Sequence, residues 1–166
     1  AAGRVGLITA EPGLYPLLTG RENLRWFGGL FGRSADEVDA TTQPLLERLS
    51  VADQADRQVR TYSSGMKQKF SLARALFLSP VALLLDEPTS NLDPVAAWQI
   101  FDVVREQADA GVAVVLCTHD LHAAESLCDR VILLDRTLRA TRELSGARTP
   151  PPVGELLALY KEHVGA

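Results

Sequence analysis

Residues 83–94 read LLLDEPTSNLDP, an aliphatic run that ends in two adjacent acids and continues through a turn-rich segment to an Asp-Pro pair. Continuous apolar runs of this kind are typical of strands that are buried on both faces of a parallel sheet. Asp93 and Pro94 predict that a helix begins here, because aspartate is a favoured N-cap and proline a favoured first helical residue. The stretch therefore predicts a strand, a loop and a helix in succession, with Asp86 and Glu87 at the end of the strand.

Other apolar runs extend this pattern. Residues 112–116 and 131–134 are continuous and apolar, and residues 4–9 form a shorter strand pattern. A helical pattern follows Pro94, and a second, shorter one covers residues 120–128. Because strands and helices alternate, we predict right-handed crossovers and an α/β fold with a mostly parallel sheet.

Capping signals define helices in the first half. Thr19 and Ser34 each stand three residues before a glutamate, which predicts a helix over about residues 20–31 and a second one as far as about Leu49. Pro44 lies inside the second pattern, where proline can kink or shorten a helix.

The tail after the last apolar run is polar at residues 136–152, where we predict a turn, a weak strand as one alternative, and a linker. Residues 153–164 predict a terminal amphipathic helix.

The bulk composition excludes several classes of protein. The 166 residues are enough for one domain with a core, and the net charge of −4 provides no basic field for nucleic acid. The longest uncharged stretches are too short to cross a bilayer, and no signal peptide is visible. Cys117 and Cys128 are interpreted as reduced structural thiols.

Polar side chains follow two of the predicted strands. Asp86 and Glu87 end one strand, and His119 comes just after the next. Ligands of open α/β sheets bind beyond the carboxyl ends of the strands, so we expect the three side chains to converge if the strands are neighbours. An aspartate there suits Mg²⁺, a glutamate can orient or deprotonate a water, and a histidine can hydrogen-bond a phosphate. The alternative is a solvated junction between strand and loop.

The sequence YSSGMKQK, residues 62–69, opens a third predicted helix. Serine hydroxyls and backbone N–H groups at a helix N-terminus form a favourable site for an anion such as phosphate. The alternative is an ordinary serine N-cap with no ligand.

Together these residues resemble the ATPase subunits of ATP-binding cassette (ABC) transporters, and the resemblance covers nearly the whole chain. The matching motifs, in the family's order and spacing, are the segment after the Q-loop (11–24), the signature loop (62–66), the Walker B strand (81–87), the D-loop (90–93) and the switch histidine His119. Several motifs in this order and spacing indicate the family far more specifically than any single motif does. It implies a P-loop NTPase-type sheet with an inserted helical subdomain.

The resemblance implies a role for each matching residue. Asp86 would help hold Mg²⁺ through water, Glu87 would polarise the attacking water, and His119 would contact the γ-phosphate of ATP. The signature loop would contact ATP held by an opposite subunit, and the D-loop would lie at the interface of the two subunits. The candidate nucleotide-contacting residues are Ser63, Ser64, Gly65, Met66, Asp93, Ala10 and Glu11.

The chain departs from the family pattern in its phosphate-binding loop. It contains no Gly-Lys pair, so the Walker A motif G-x-x-x-x-G-K-[ST] is absent, and its only methionine is Met66. We therefore expect a fragment whose first strand and P-loop are missing, and whose 166 residues alone bind and hydrolyse ATP poorly.

Two further departures concern single residues. Ala10 stands where the family has the Q-loop glutamine, and alanine cannot reach Mg²⁺ or water, although Glu11 could substitute. Ser64 replaces a glycine and Met66 a glutamine of the signature loop. Such variants resemble those of drug-exporter ATPases, which points to export.

These interpretations define the expected organisation and partners. Residues 1–152 would form a partial ABC ATPase domain, with the helical subdomain at about 19–79 and the Walker B to switch region at 80–135, and residues 153–166 would form a C-terminal helix. We expect a peripheral protein at the cytoplasmic face of the membrane. Its partners would be a second cassette, identical or not, and a transmembrane permease, with no nucleic acid.

Two alternative functions stay open. A soluble, non-transport cassette ATPase would keep the fold, although only residues 64–85 separate Ser63 from Asp86, which leaves no room for the long insertion of many such proteins. A non-catalytic regulatory cassette would fit Ala10 and the absent P-loop, but it has no physical need for Glu87 and His119.

Overall fold

The computed structural model describes residues 5–135, 137–143 and 155–163. The chain divides into two compact units, Ala1–Cys117 and Thr118–Ala166. Each unit has its own hydrophobic cluster of buried side chains. Among the described residues, no helix combines the length and the apolar character needed to span a bilayer.

A three-stranded parallel sheet lies at the centre of the first unit. Its strands are β1 (Val5–Ile8), β2 (Ala82–Asp86) and β3 (Ala113–Cys117), in the order β1-β2-β3. Because all three strands run in parallel, their carboxyl ends meet at one edge of the sheet. The prediction of an α/β fold with a parallel sheet is confirmed.

Helices pack against this sheet and against each other. The capping boxes predicted at Thr19 and Ser34 are both present, and Pro44 lies inside an unbroken helix, so it does not shorten that helix. The fourth helix begins at Pro94 with Asp93 as N-cap, as the sequence predicts. The helices are α1 (Gly20–Leu30), α2 (Ala35–Arg48), α3 (Ser64–Leu76) and α4 (Pro94–Asp109), with short 3₁₀ turns at Ala52–Gln54 and Val59–Thr61.

Helix α3 is the centre of the packing in this unit. It contacts β1 and the helices α1, α2 and α4, so side chains on nearly all of its sides are buried. Phe70 and Leu72 are fully buried on α3, as are Leu83 on β2 and Ile100 on α4. Each such side chain stabilises the fold by about 1.5–3 kcal/mol relative to an exposed one. The position of α3, and therefore of its N-terminal loop, is fixed by this core.

The second unit contains α5 (Leu121–Leu127), β4 (Arg130–Asp135), β5 (Thr137–Glu143) and α6 (Glu155–His163). Leu156 of α6 is fully buried and packs against Ala124 of α5. The Glu125 carboxylate accepts a hydrogen bond from the backbone N–H of Leu156 at 2.7 Å. These contacts attach the predicted terminal helix to α5.

One strand pairs differently from the prediction. The run at 131–134 was expected to extend the parallel sheet, but β4 pairs antiparallel with β5 in a separate two-stranded sheet. Only residue 136 separates the two strands, so this pairing is local in the chain and needs no crossover. The weak strand that the sequence allowed within 136–152 is therefore β5.

Candidate functional site

The two adjacent acids lie at the carboxyl end of the central strand of the sheet. Asp86 is the last residue of β2, is exposed, and is the register partner of Cys117 at the end of β3. The backbone N–H of Glu87 donates to the carbonyl of Cys117 at 2.9 Å, which extends the hydrogen bonding between β2 and β3 by one bond. The acids are therefore fixed between two strands at the edge where ligands of parallel sheets bind.

Glu87 has a backbone conformation that is rare for a residue with a side chain. Its φ is +46°, in the left-handed region. Such conformations cost about 1–3 kcal/mol and are concentrated at functional sites, where the surrounding structure enforces them. Here the turn takes the chain out of the strand direction immediately after Asp86, and the Glu87 side chain is left half-exposed.

The segment after the acids is a tight loop that leads directly into α4. The N–H of Ser90 donates to the Glu87 carbonyl at 3.2 Å, and Asn91 has a φ of +62°. Asp93 then caps α4 by accepting from the N–H of Ala96 at 2.9 Å. The predicted D-loop is thus ordered by its own backbone hydrogen bonds and by the helix that it begins.

The predicted signature loop forms the N-terminus of α3. Ser63 is the N-cap, and its hydroxyl accepts from the N–H of Met66 at 3.2 Å. Ser63 and Ser64 are exposed, Gly65 is buried and Met66 is half-buried. The exposed hydroxyls stand at the positive end of the dipole of a 13-residue helix, an arrangement that favours anions.

The signature loop and the D-loop are in direct contact. The Ser64 hydroxyl donates to the backbone carbonyl of Asn91 at 3.4 Å. A Cβ at Gly65 would come to 3.0 Å from the Cβ of Ala96 and to 3.9 Å from an Asp93 carboxylate oxygen. Only glycine lets the first turn of α3 approach the first turn of α4 this closely.

The loop after β1 contains Ala10 and Glu11, which are both exposed. It leaves the sheet at the same edge as Asp86, because β1 and β2 are parallel neighbours. Two side chains of α3 hold it: the Gln68 amide donates to the Thr9 carbonyl at 3.0 Å, and the Arg74 guanidinium donates to the Gly13 carbonyl at 2.8 Å. Ala10 and Glu11 are therefore held between two anchored points.

Sequence reasoning missed these anchors and the burial of a neighbouring polar side chain, Lys69. Gln68 is 3% and Lys69 7% exposed, although polar residues on a helix are normally expected to face solvent. Burial lowers the pKa of the Lys69 ammonium, and the nearby charge of Asp93 acts in the opposite direction. The sequence carries no local signal for this burial, because residues 62–67, YSSGMK, are mostly polar and the apolar-rich stretch begins only at Phe70.

The candidate residues therefore fall into three groups. Asp86 and Glu87 share the sheet edge with the loop that carries Ala10 and Glu11, while the signature loop is packed against the D-loop. His119 belongs to the second unit, where it follows β3 by two residues, and its convergence with the acids stays a prediction.

The exposed oxygen donors of Asp86, Ser63 and Ser64 suit a hard cation and a phosphate. Within residues 5–135, 137–143 and 155–163, no three His, Cys, Asp or Glu side chains are grouped so that they could hold a metal ion. Asp86 offers one exposed carboxylate, which suits Mg²⁺ when phosphates and water supply the other ligands. The exposed hydroxyls of Ser63 and Ser64 fit a phosphate.

Comparison of the sequence with known families gives one clear match. The profile described as ABC transporter matches residues 1–90. "Nod factor export ATP-binding protein I" of Bradyrhizobium diazoefficiens is 39% identical over 162 residues, which are 98% of this chain and 49% of that protein. The chain spans about half the length of the curated relatives that it matches.

Solved structures give the same result for the fold. One described as the ATP-binding subunit of an ABC transporter has a TM-score of 0.79 and 30% identity, over 96% of this chain and 68% of that one. A second, a dimeric ATP-binding cassette in a post-hydrolysis state bound to ADP and Pi, has a TM-score of 0.76 and 27% identity, over 87% of this chain and 64% of that one.

Proposed function

This chain belongs to the ATP-binding cassette transporter family, and we propose that it forms the ATP-hydrolysing part of an export-type transporter subunit. The observation that carries the proposal is the position of two acids, Asp86 and Glu87, at the exposed carboxyl end of the central parallel strand. The positive φ of Glu87 turns the chain away from the strand at this point. Such a conformation, next to two accessible carboxylates, is consistent with a site that is held in place for a ligand.

The proposed chemistry is transfer of a phosphoryl group to water. Bound ATP supplies the phosphoryl group, and Mg²⁺ neutralises charge on the phosphates. Asp86 would help hold the hydrated Mg²⁺ through the water molecules that the ion carries, at the carboxyl edge of the sheet. Glu87 accepts a hydrogen bond from the attacking water and orients it, and His119 donates a hydrogen bond to the terminal phosphate.

A second cassette is the proposed partner for the surface formed by the signature loop and the D-loop. Ser63, Ser64 and Asp93 are all exposed, and the two loops touch through Ser64 and Asn91. Hydroxyls and a helix N-terminus that face outward can bind a phosphate held by another subunit. We propose that Ser63 and Gly65 contact that phosphate, with Ser64 and Met66 beside it, and that Asp93 lies at the interface.

A transmembrane permease is the proposed second partner, at the cytoplasmic face of the membrane. Tyr15 and Trp26 pack edge-to-face with ring centroids 4.7 Å apart, yet they remain 44% and 43% exposed. With Leu17 and Leu18 they line an apolar groove of about 350 Å³. The groove lies where the segment 15–18 meets Trp26 of the proposed helical subdomain. Exposed aromatic side chains around a concavity favour a protein partner.

A regulatory cassette without catalysis is a second candidate, and one observation favours it. Ala10 is exposed beside the sheet edge and has no group that could bind a cation or a water. In that case the chain would contribute only its signature loop, residues 62–66, to the active site of a partner cassette. Because Glu11 is equally exposed in the same loop, it could replace the missing polar group, so the catalytic function is preferred.

ATP turnover by the complete gene product tests the proposal. Glu87→Gln removes the carboxylate that orients the water, and we expect the turnover rate to fall at least about 100-fold. Asp53→Asn, which changes an exposed acid in the 3₁₀ turn of Ala52–Gln54, is the matched control and should leave the rate unchanged. An unchanged rate in Glu87→Gln would refute the catalytic assignment and favour the regulatory one.

A further inference from the structure

Three contacts join the first two turns of α3 to the segment 91–99. The Ser64 hydroxyl reaches the Asn91 carbonyl, and the Gly65 backbone packs on Ala96. The Lys69 ammonium donates a hydrogen bond to the side-chain oxygen of Gln99 on α4. The first two contacts lie at the starts of the two helices, and the third lies one helical turn further along both helices.

The contact between Lys69 and Gln99 is a partly buried polar link: the lysine is buried, whereas the glutamine is half-exposed. Lys69 is 7% exposed, and the Gln99 amide is 3.4 Å from the Ser50 hydroxyl, which orients the glutamine. Removing an ammonium from water is costly, and an apolar side chain of the same length would fill the space without that cost. The stability of the fold therefore does not by itself explain a lysine at this place.

We propose that Lys69 is a positioning residue that, through Gln99, holds the signature loop and the D-loop together as one rigid element. The two loops are the proposed contacts to a partner cassette, so their relative position decides whether Ser63 and Asp93 engage the partner together. This inference rests on the proposed function. It adds that the hydrogen bond between Lys69 of α3 and Gln99 of α4 keeps the two contact loops of one chain in a fixed relative position.

The test combines stability and turnover in a mutant cycle on the complete gene product. Lys69→Met gives an unbranched side chain that is one atom shorter and removes the charge, and Gln99→Leu removes the acceptor. We expect Lys69→Met to be at least as stable to urea as the wild type, while kcat falls roughly tenfold with little change in the KM for ATP. Gln99→Leu should lower kcat similarly, and the double variant should be no worse than either single one.

A second measurement does not depend on turnover. Amide hydrogen exchange at residues 64–66 and 91–97 should become several-fold faster in Lys69→Met, because the two loops then fluctuate separately. Lys161→Met, at an exposed position of α6, is the control and should change neither exchange nor kcat.

Three results would overturn the proposal. The first is an unchanged kcat in Lys69→Met. The second is a double variant whose loss of kcat equals the product of the losses in Lys69→Met and Gln99→Leu. The third is a fall in kcat that is fully explained by a smaller fraction of folded protein. If the wild-type protein has no ATP turnover, the proposed function fails instead. The exchange measurement then still decides whether Lys69 joins the two loops.

Discussion

At the scale of single residues, Gly65 determines how closely the signature loop approaches α4. A Cβ at this position would lie 3.0 Å from the Cβ of Ala96, and both carbons are attached directly to backbone. Neither can rotate away, so an alanine must push the two helix starts apart by a few tenths of an ångström. That displacement acts on the surface proposed to bind a partner's nucleotide.

Gly65→Ala is therefore expected to reduce turnover roughly tenfold, which corresponds to about 1.4 kcal/mol in the barrier. Stability should change little, because the better helix propensity of alanine, worth up to about 1 kcal/mol, offsets the crowding. The decisive comparison is the double variant Gly65→Ala/Ala96→Gly, which restores the space and should recover most of the rate. A double variant as slow as the single one would show that crowding against Ala96 is not the cause.

Gln68 gives a second prediction at this scale, for the loop that carries Ala10. Its amide is buried and donates to the Thr9 carbonyl. Gln68→Leu should lower the free energy of unfolding by about 1–2 kcal/mol, because the loop loses a buried hydrogen bond. Urea unfolding measures this free energy. The control is Gln43→Leu on α2, because the Gln43 amide makes an exposed hydrogen bond. We expect this control to change the free energy of unfolding by less than about 0.5 kcal/mol. Equal effects of the two changes would contradict the anchoring role.

At the scale of elements, the capping boxes of α1 and α2 link the stability of these helices to pH. The pKa of Glu22 lies below its ordinary value of 4.5, chiefly because the carboxylate accepts a hydrogen bond from the backbone N–H of Thr19. The pKa of Glu37 is lowered in the same way by the backbone of Ser34. Both groups bind protons less readily when folded, so they stabilise the fold above about pH 4.5.

This contribution is expected to disappear as the pH falls through the lowered folded-state pKa values. At pH 6 the melting temperature of the wild type should exceed that of Glu22→Gln. The difference should shrink as the pH falls to 3, because the glutamine does not titrate. The two proteins should therefore converge as the pH falls below the lowered pKa of Glu22. A difference in melting temperature that is independent of pH would contradict the assignment.

The sequence predicts elements well where the determining signals are local. Asp93 and Pro94 define the start of α4, and the apolar run before Asp86 defines β2 together with the position of the acids. The pairing of β4 could not be predicted, because an apolar run does not indicate whether its partner is β3 or the next strand in the chain. The burial of Lys69 was missed for a similar reason, since it depends on the four elements that enclose α3.

At the scale of the whole molecule, we expect these 166 residues to bind ATP weakly on their own, because the phosphate-binding motif is absent from them. They contain no Gly-Lys pair, and that lysine with its neighbouring backbone N–H groups normally supplies most contacts to the phosphates. We expect calorimetric titration of the 166-residue chain with MgATP to give a Kd no tighter than about 1 mM. Micromolar binding by this chain would contradict the expectation and would require another phosphate site.

The central claim is that Glu87 acts in the hydrolysis of ATP and not in its binding. The measurement that tests it most directly is the identity of the nucleotide retained by the complete gene product with Glu87→Gln, after incubation with MgATP and removal of free nucleotide. We expect this variant to retain intact ATP, whereas the wild type should retain ADP or no nucleotide. Retention of ADP by Glu87→Gln at the wild-type level would show that hydrolysis proceeds without this carboxylate and would contradict the claim.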